Sequence, residues 1–206
     1  LASVHTAQAD IAHEAQAQAA VLGAVEALGG LDVLVNNAAM RNYSALADAT
    51  PVEWQAMVGV NLVGTATMSR LALPYLRASG RGSIVNVSSA HALIGRKGMG
   101  LYDSTKAGML AMTRTLAFEE VQYGVRVNAV CPGAIETDVM MAEGPGAAVA
   151  MGTTYEGLLE MFASESAIKR LNEVEDVSLV AVLLASDAGA GITGSLISID
   201  GGTSPY

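Results

Sequence analysis

The strongest constraint on this chain is an alternation of short apolar runs with much longer helical stretches. LDVLV at 31–35, SIVNVSS at 83–89, VRVNAV at 125–130 and SLISID at 195–200 are rich in β-branched residues. Residues that are apolar in succession suit a strand buried on both faces of a parallel sheet. Between these runs lie helix candidates at 11–28, 51–79, 102–122 and 173–185. This βαβ rhythm predicts an α/β protein whose parallel sheet is covered on both faces. Nothing in the 206 residues separates two hydrophobic cycles, so residues 1–206 read as one domain.

Local punctuation sharpens the boundaries. Gly29-Gly30 stops the first helix, and Gly124 ends the third. Thr50, Pro51 and Glu53 form an N-cap, a first-turn proline and a capping box at the start of 51–79. Residues 4–9 are a strand candidate. Residues 134–170 are mixed, with Gly144-Pro145-Gly146 and Gly152 marking a flexible stretch.

Composition excludes several classes. With 51% apolar and 15% charged residues, the chain is no disordered acidic tail. Twenty acidic against eleven basic residues, a formal charge of −9, argue against nucleic-acid binding. One cysteine, Cys131, excludes an internal disulfide and a cysteine-based zinc site, and no metal site is expected. No unbroken apolar run reaches the roughly 18 residues of a membrane span. Aromatics are only 4%, so the core must be built from aliphatic residues and Met.

Ligands of open parallel sheets bind at the carboxyl ends of the strands. Attention therefore falls on Asp10 and on 36–41, 88–91 and 132–138. Tyr102 and Lys106 share one helix face, four residues apart. A lysine ammonium near a phenol favours phenolate and lowers the tyrosine pKa, giving a proton donor or acceptor. Ser89 ends a strand thirteen residues earlier, with a hydroxyl suited to a substrate oxygen. Asn61 lies inside a helix, where asparagine has poor propensity, and its amide is suited to a water or a kinked carbonyl.

These residues carry a resemblance to the short-chain dehydrogenase/reductase family. LDVLVNNAA (31–39) resembles its Asn-Asn-Ala-Gly segment, with Ala39 in place of the usual glycine. VNL (60–62), SIVNVSS (83–89), YDSTKAG (102–108), RVNAVCPGAIETD (126–138) and ITGSLISIDGG (192–202) match further family segments in order. The resemblance implies a Rossmann-like, doubly wound, three-layer α/β/α fold. It implies NAD or NADP as cofactor and hydride transfer to or from a secondary alcohol or ketone. By the same resemblance Tyr102 is the general acid/base and Lys106 tunes it and binds the nicotinamide ribose. Ser89 orients substrate, and Asn61 supports a relay water. Asp10 and Ile11 would meet the adenine. Asn37, Ala38, Ala39, Pro132, Gly133, Ile135 and Thr137 would line the cofactor cleft.

The family's opening glycine-rich turn is missing, and the first residues match its third strand. The expectation is therefore a sheet lacking two strands, with roughly 50 preceding residues omitted before Leu1. The strand end that separates NAD from NADP falls in that part. Arg41 and His91 stand where a hydroxybutyrate dehydrogenase branch grips a carboxylate. GAIETD (133–138) also resembles 3-oxoacyl carrier-protein reductases, the alternative activity. Another alternative is a non-catalytic relative that keeps the fold for binding or assembly. Residues 139–170 correspond to a substrate lid, whose Met140, Met141, Met151, Leu158, Leu159, Met161 and Phe162 suit either an apolar pocket or helix packing. The resemblance further implies a cytoplasmic homotetramer or homodimer acting on a small molecule, with no nucleic-acid or membrane partner.

Overall fold

The computed structural model describes residues 4–204. Leu1, on which the expectation of a preceding segment turns, lies outside them. Four strands form one parallel sheet in the order β1 (Val33–Asn36), β2 (Ser83–Val87), β3 (Arg126–Pro132), β4 (Leu196–Ile199). The helices are α1 (Glu14–Leu28), α2 (Pro51–Val58), α3 (Thr65–Ser79), α4 (Gly100–Glu120), α5 (Asp138–Ala150), α6 (Tyr155–Glu165) and α7 (Val174–Ala185).

The pleat divides the strand residues between two cores. Ile84 and Val127 pack with Ala72, Leu73 and Leu76 of α3 and Ala117 of α4. Their neighbours Val85 and Val130 pack on the other face with Leu184 of α7. Both faces of β2 and β3 are thus covered, which is why they read as continuous apolar runs, whereas on β1, at the end of the sheet, Val35 stays 47% exposed. The expected three-layer α/β/α fold is present.

Residues 4–9 form no strand. Val4 is 86% exposed, so no burial offsets the entropy of extending it. The first helix starts at Glu14 rather than residue 11, because Asp10 builds a turn of its own. Its carboxylate accepts the Ala12 N–H at 2.9 Å, and its carbonyl accepts the His13 N–H at 3.0 Å.

The expected helix over 51–79 is one continuous run with its capping box formed. Thr50 Oγ1 accepts the Glu53 N–H at 3.3 Å, and Glu53 Oε2 accepts the Thr50 N–H at 2.8 Å. Its middle, Gly59–Gly64, is a π-helical segment. By length and composition this 29-residue run is long and apolar enough to cross a membrane. Counting unbroken apolar runs misses it because Asn61, Thr65 and Ser69 interrupt it. Those three side chains are buried and bond inside the domain.

A buried polar relay ties the layers together. Asn36 Nδ2 donates to Asn86 Oδ1 at 2.8 Å and to Ser69 Oγ at 3.1 Å. Asn86 Nδ2 donates in turn to Thr113 Oγ1 at 2.9 Å. One asparagine of β2 therefore holds β1 and α4. Replacing Asn86 with Leu strands its partners and lowers the unfolding free energy by about 1–3 kcal/mol, read as a lower urea midpoint at unchanged slope.

The stretch 134–170, expected to be flexible around Gly144-Pro145-Gly146, is instead mostly two packed helices. Gly144 lies within α5, where a Cβ would come 2.5 Å from the Tyr155 ring. The missing side chain is what lets α6 approach, so here glycine serves packing rather than a break. The turn falls at Gly152, at φ +73°. Met140, Leu158 and Phe162 form the small core of this unit, with Leu159 and Met161 against it. Met141 and Met151 stay half exposed.

Candidate active site

A cleft of about 640 Å³ opens where β1, β2 and β3 end. That size suits a small-molecule site. Asn37, Ala39 and Arg41 follow β1, Ser89 and His91 follow β2, and Pro132, Gly133, Ile135 and Thr137 close β3 or follow it; all line the cleft. Tyr102 and Lys106 enter from α4, while Met140, Glu143 and Phe162 face it from α5 and α6. Sequence reasoning missed Tyr43, Arg96, Val139 and Glu143 as cleft residues. The position of Arg96 in the glycine-containing loop between Ser89 and Tyr102 was the available signal.

Four expected residues do not line the cleft. Asp10 closes the turn before α1. Ile11 packs beside Gly64. Ala38 is not among the lining residues, and Asn37 and Ala39 on either side supply the wall. Asn61 is fully buried in the π segment. Its Oδ1 accepts the Met40 N–H at 2.7 Å, and its Nδ2 donates to Met40 O at 2.8 Å and to Thr105 Oγ1 at 3.0 Å. The π segment turns this amide toward the loop after β1, so Asn61 fixes the Met40 wall of the cleft. Single-turn π segments recur at such sites.

Lys106 is 2% exposed, and its Nζ donates to Val87 O at 2.7 Å. Ser88 Oγ donates to Lys106 O at 3.0 Å, fastening α4 to the end of β2. Burial pulls the Lys106 pKa down to about 8. Its ammonium carries three N–H donors, and one protein acceptor leaves two for a ligand.

The expectation that Lys106 lowers the Tyr102 pKa does not describe the balance here. Burial, the largest effect, raises the Tyr102 pKa, while the charges of Arg96 and Arg41 and the Ser89 hydroxyl pull the other way. Lys106 Nζ stands 5.7 Å from the Tyr102 ring centre, anchored to Val87 O. The phenol is therefore protonated at neutral pH.

Ser89 Oγ accepts the His91 N–H at 3.1 Å and caps the short turn Ala90–Ala92. His91 is neutral: burial, then the Arg96 charge, bring its pKa down to about 4. The unfolded chain takes up this proton first, so stability from His91 is lost as pH falls from about 6.5 towards 4. His91→Gln should remove that part of the acid sensitivity, as read by urea unfolding at stepped pH.

Thr137 Oγ1 caps α5 by accepting the Met140 N–H at 3.2 Å. At Gly133 a Cβ would sit 2.9 Å from both Asn172 Oδ1 and Asp200 Cα, so only glycine permits this approach of β3's end to the C-terminal turn. Cys131 is buried beneath the site, its thiol pKa pushed up to about 11. Among the described residues, no group of three or more His, Cys, Asp or Glu could hold a metal ion.

A family model described as Enoyl-(Acyl carrier protein) reductase matches residues 2–204, essentially the whole domain that holds this cleft. The chain belongs to the short-chain dehydrogenase/reductase family. It is 38% identical over 178 residues to a 3-oxoacyl-[acyl-carrier-protein] reductase of Thermotoga maritima, covering 86% of this chain and 68% of that one. It is 35% identical over 175 residues to a D-beta-hydroxybutyrate dehydrogenase of Rhizobium meliloti, covering 84% and 68%. The solved structure of ElxO with NADP bound superposes with a TM-score of 0.85 at 31% identity, over 96% of this chain and 77% of that one. As a short-chain dehydrogenase/reductase the chain is an oxidoreductase linked to NAD or NADP. The cleft at the strand ends fits such a cofactor, with a buried lysine holding two spare donors.

Proposed function

We propose that the chain transfers a hydride between NAD(P) and a secondary alcohol or ketone, with Tyr102 exchanging the proton. The observation that carries this reading is the convergence of Ser89, Tyr102 and Lys106 in one cleft at the strand ends. The nicotinamide, when bound, supplies or accepts the hydride. Lys106 would hold its ribose through the two free N–H groups. Asn37, Ala39, Pro132, Gly133, Ile135 and Thr137 would form its wall. Ser89 Oγ would orient the substrate oxygen beside the Tyr102 phenol, which gives its proton to the forming alkoxide in reduction and takes one in oxidation. Asn61 would act by holding Met40 in place.

The helices α5 and α6 would serve as a lid over the substrate, supported by their position across the cleft and by the Glu143–Arg41 pair at 3.0 Å. The chain would assemble with copies of itself, as a homotetramer or homodimer. Phe118 on α4 at 87% exposure and Leu179 on α7 at 71% support such an interface. The test of the reaction is oxidation of reduced NAD or NADP, followed by absorbance against a panel of neutral ketones. Ketone-dependent oxidation supports the reading, and none with either cofactor would overturn it.

A further inference from the structure

Two guanidinium groups border the cleft, and they are held very differently. Arg41 Nε donates to Glu143 Oε2 at 3.0 Å, so a carboxylate faces the Arg41 charge at close range. Arg96 belongs to the loop that joins Ser89 to Tyr102 and lines the cleft with both. Its one side-chain hydrogen bond runs from Nη2 to Asp103 Oδ1 at 3.4 Å. Asp103 is the residue that follows Tyr102 on α4, and its side chain is 9% exposed. The loop backbone is fixed as well. Gly98 O accepts the Ser44 N–H at 2.9 Å, and Met99 O accepts the Asp103 N–H at 2.9 Å.

This arrangement makes Arg96 a fixed charge rather than a ligand grip. Asp103 occupies its exposed end, and its Nε is buried with no partner. One long contact offsets a charge less than a bidentate fork does. At 22% exposure the side chain is only partly screened by water, so its field reaches its neighbours. The groups around the Tyr102 phenol are Arg96, Arg41 after β1 with Glu143 on α5, Asp103 and Lys106 on α4, the Ser89 hydroxyl and neutral His91. Among the charges, Arg96 acts on Tyr102 most strongly, ahead of Arg41, and Asp103 opposes it least. Lys106 is anchored to Val87 O and loses its proton at about 8, before a buried phenol ionises, whereas arginine stays charged.

We propose that Arg96, held by Asp103, is the fixed cation that stabilises the Tyr102 phenolate, which leaves Lys106 to the cofactor. In reduction the phenol proton passes to the forming alkoxide, and the phenolate left behind lies in the field of Arg96. Arg96 is thus a positioning residue that acts through Tyr102. This inference rests on Tyr102 as the proton-exchanging group and adds a residue to that reaction.

The experiment replaces Tyr102 in the full chain with difluorotyrosine, whose phenol is more acidic and whose fluorine resonance shifts on ionisation. Its titration midpoint is read by fluorine NMR without cofactor. Arg96→Gln should raise that midpoint by about one pH unit. Arg96→Lys, which keeps the charge and alters the shape, should leave it close to the Arg96 value. Arg41→Gln should raise it less than Arg96→Gln does. With native Tyr102, the alkaline climb of alcohol oxidation should move to higher pH in Arg96→Gln and stay in place in Arg96→Lys. An unmoved midpoint in Arg96→Gln, an equal displacement in Arg96→Lys, or a larger one in Arg41→Gln would overturn the proposal. If the chain oxidises no alcohol, the hydride-transfer reading fails by itself, and the fluorine titration still decides the role of Arg96.

Discussion

Tyr102→Phe should lower kcat for ketone reduction by about 10²–10⁴-fold, the range supplied by a positioned proton donor. The ring stays in place in this variant, and only the hydroxyl beside Ser89 is lost. Its melting temperature and its affinity for reduced cofactor should therefore stay near wild type. The direction of the Tyr102 pKa adds a pH signature. Burial raises it, so the phenol is protonated throughout the neutral range. Ketone reduction should hold steady across neutral pH, whereas alcohol oxidation, which needs the phenolate, should climb as the solution becomes alkaline. Phe at 102 should abolish that climb. A variant that keeps wild-type turnover would remove Tyr102 from the chemistry.

Lys106→Met should have the second large effect, read both in cofactor affinity and in the pH dependence of stability. Cofactor affinity should fall at least tenfold, because the two N–H donors facing the cleft disappear. The pH dependence of stability should flatten. In the folded protein Lys106 titrates at about 8 against 10.5 for the free side chain, because burial disfavours its charge. Below pH 8 both states hold the proton and the penalty of the buried charge is full. Between about pH 8 and 10 the unfolded chain holds a proton that the folded chain has released, so wild-type stability rises with pH. The gain is a few kcal/mol at about 1.4 kcal/mol per unit. Met has no such proton, so the difference between the two proteins in urea unfolding should shrink steadily over that window. A constant difference would show that Lys106 is not desolvated.

Most of the sheet was legible because burial on both faces writes itself into the strands. Ile84 and Val85 face opposite cores and are both fully buried, so SIVNVSS reads as a buried strand without further information. The capping box at Thr50 was legible for the same reason: its signal is local. Residues 4–9 misled because a short β-branched and polar run carries no record of whether a neighbouring strand exists to pair with it. Gly144-Pro145-Gly146 misled because glycine reads as a break, while its cause here is the Tyr155 ring more than ten residues away.

The site shows the same division. Ser89, Tyr102 and Lys106 sit at spacings that strand and helix periodicity preserve, and the fold brings them together. Asn61 was found by type, yet its orientation depends on a π segment that no propensity announces. The state of Arg96 was hidden altogether. A lone arginine in a loop reads as solvated, and only packing shows its Nε buried without a partner. The pKa of Tyr102 was misjudged for a related reason. Sequence spacing shows that Lys106 is near, but only the fold shows its ammonium held by Val87 O and the phenol more strongly affected by burial.

The central claim is direct hydride transfer in the cleft that holds Tyr102. Its most direct test is a turnover with reduced cofactor carrying deuterium at nicotinamide C4 and a neutral ketone, followed by mass analysis of the alcohol. The account predicts one deuterium on the carbinol carbon of the product, formed by the wild type and reduced in rate by orders of magnitude in Tyr102→Phe. Product without deuterium, or label transferred equally fast by the variant, would contradict it.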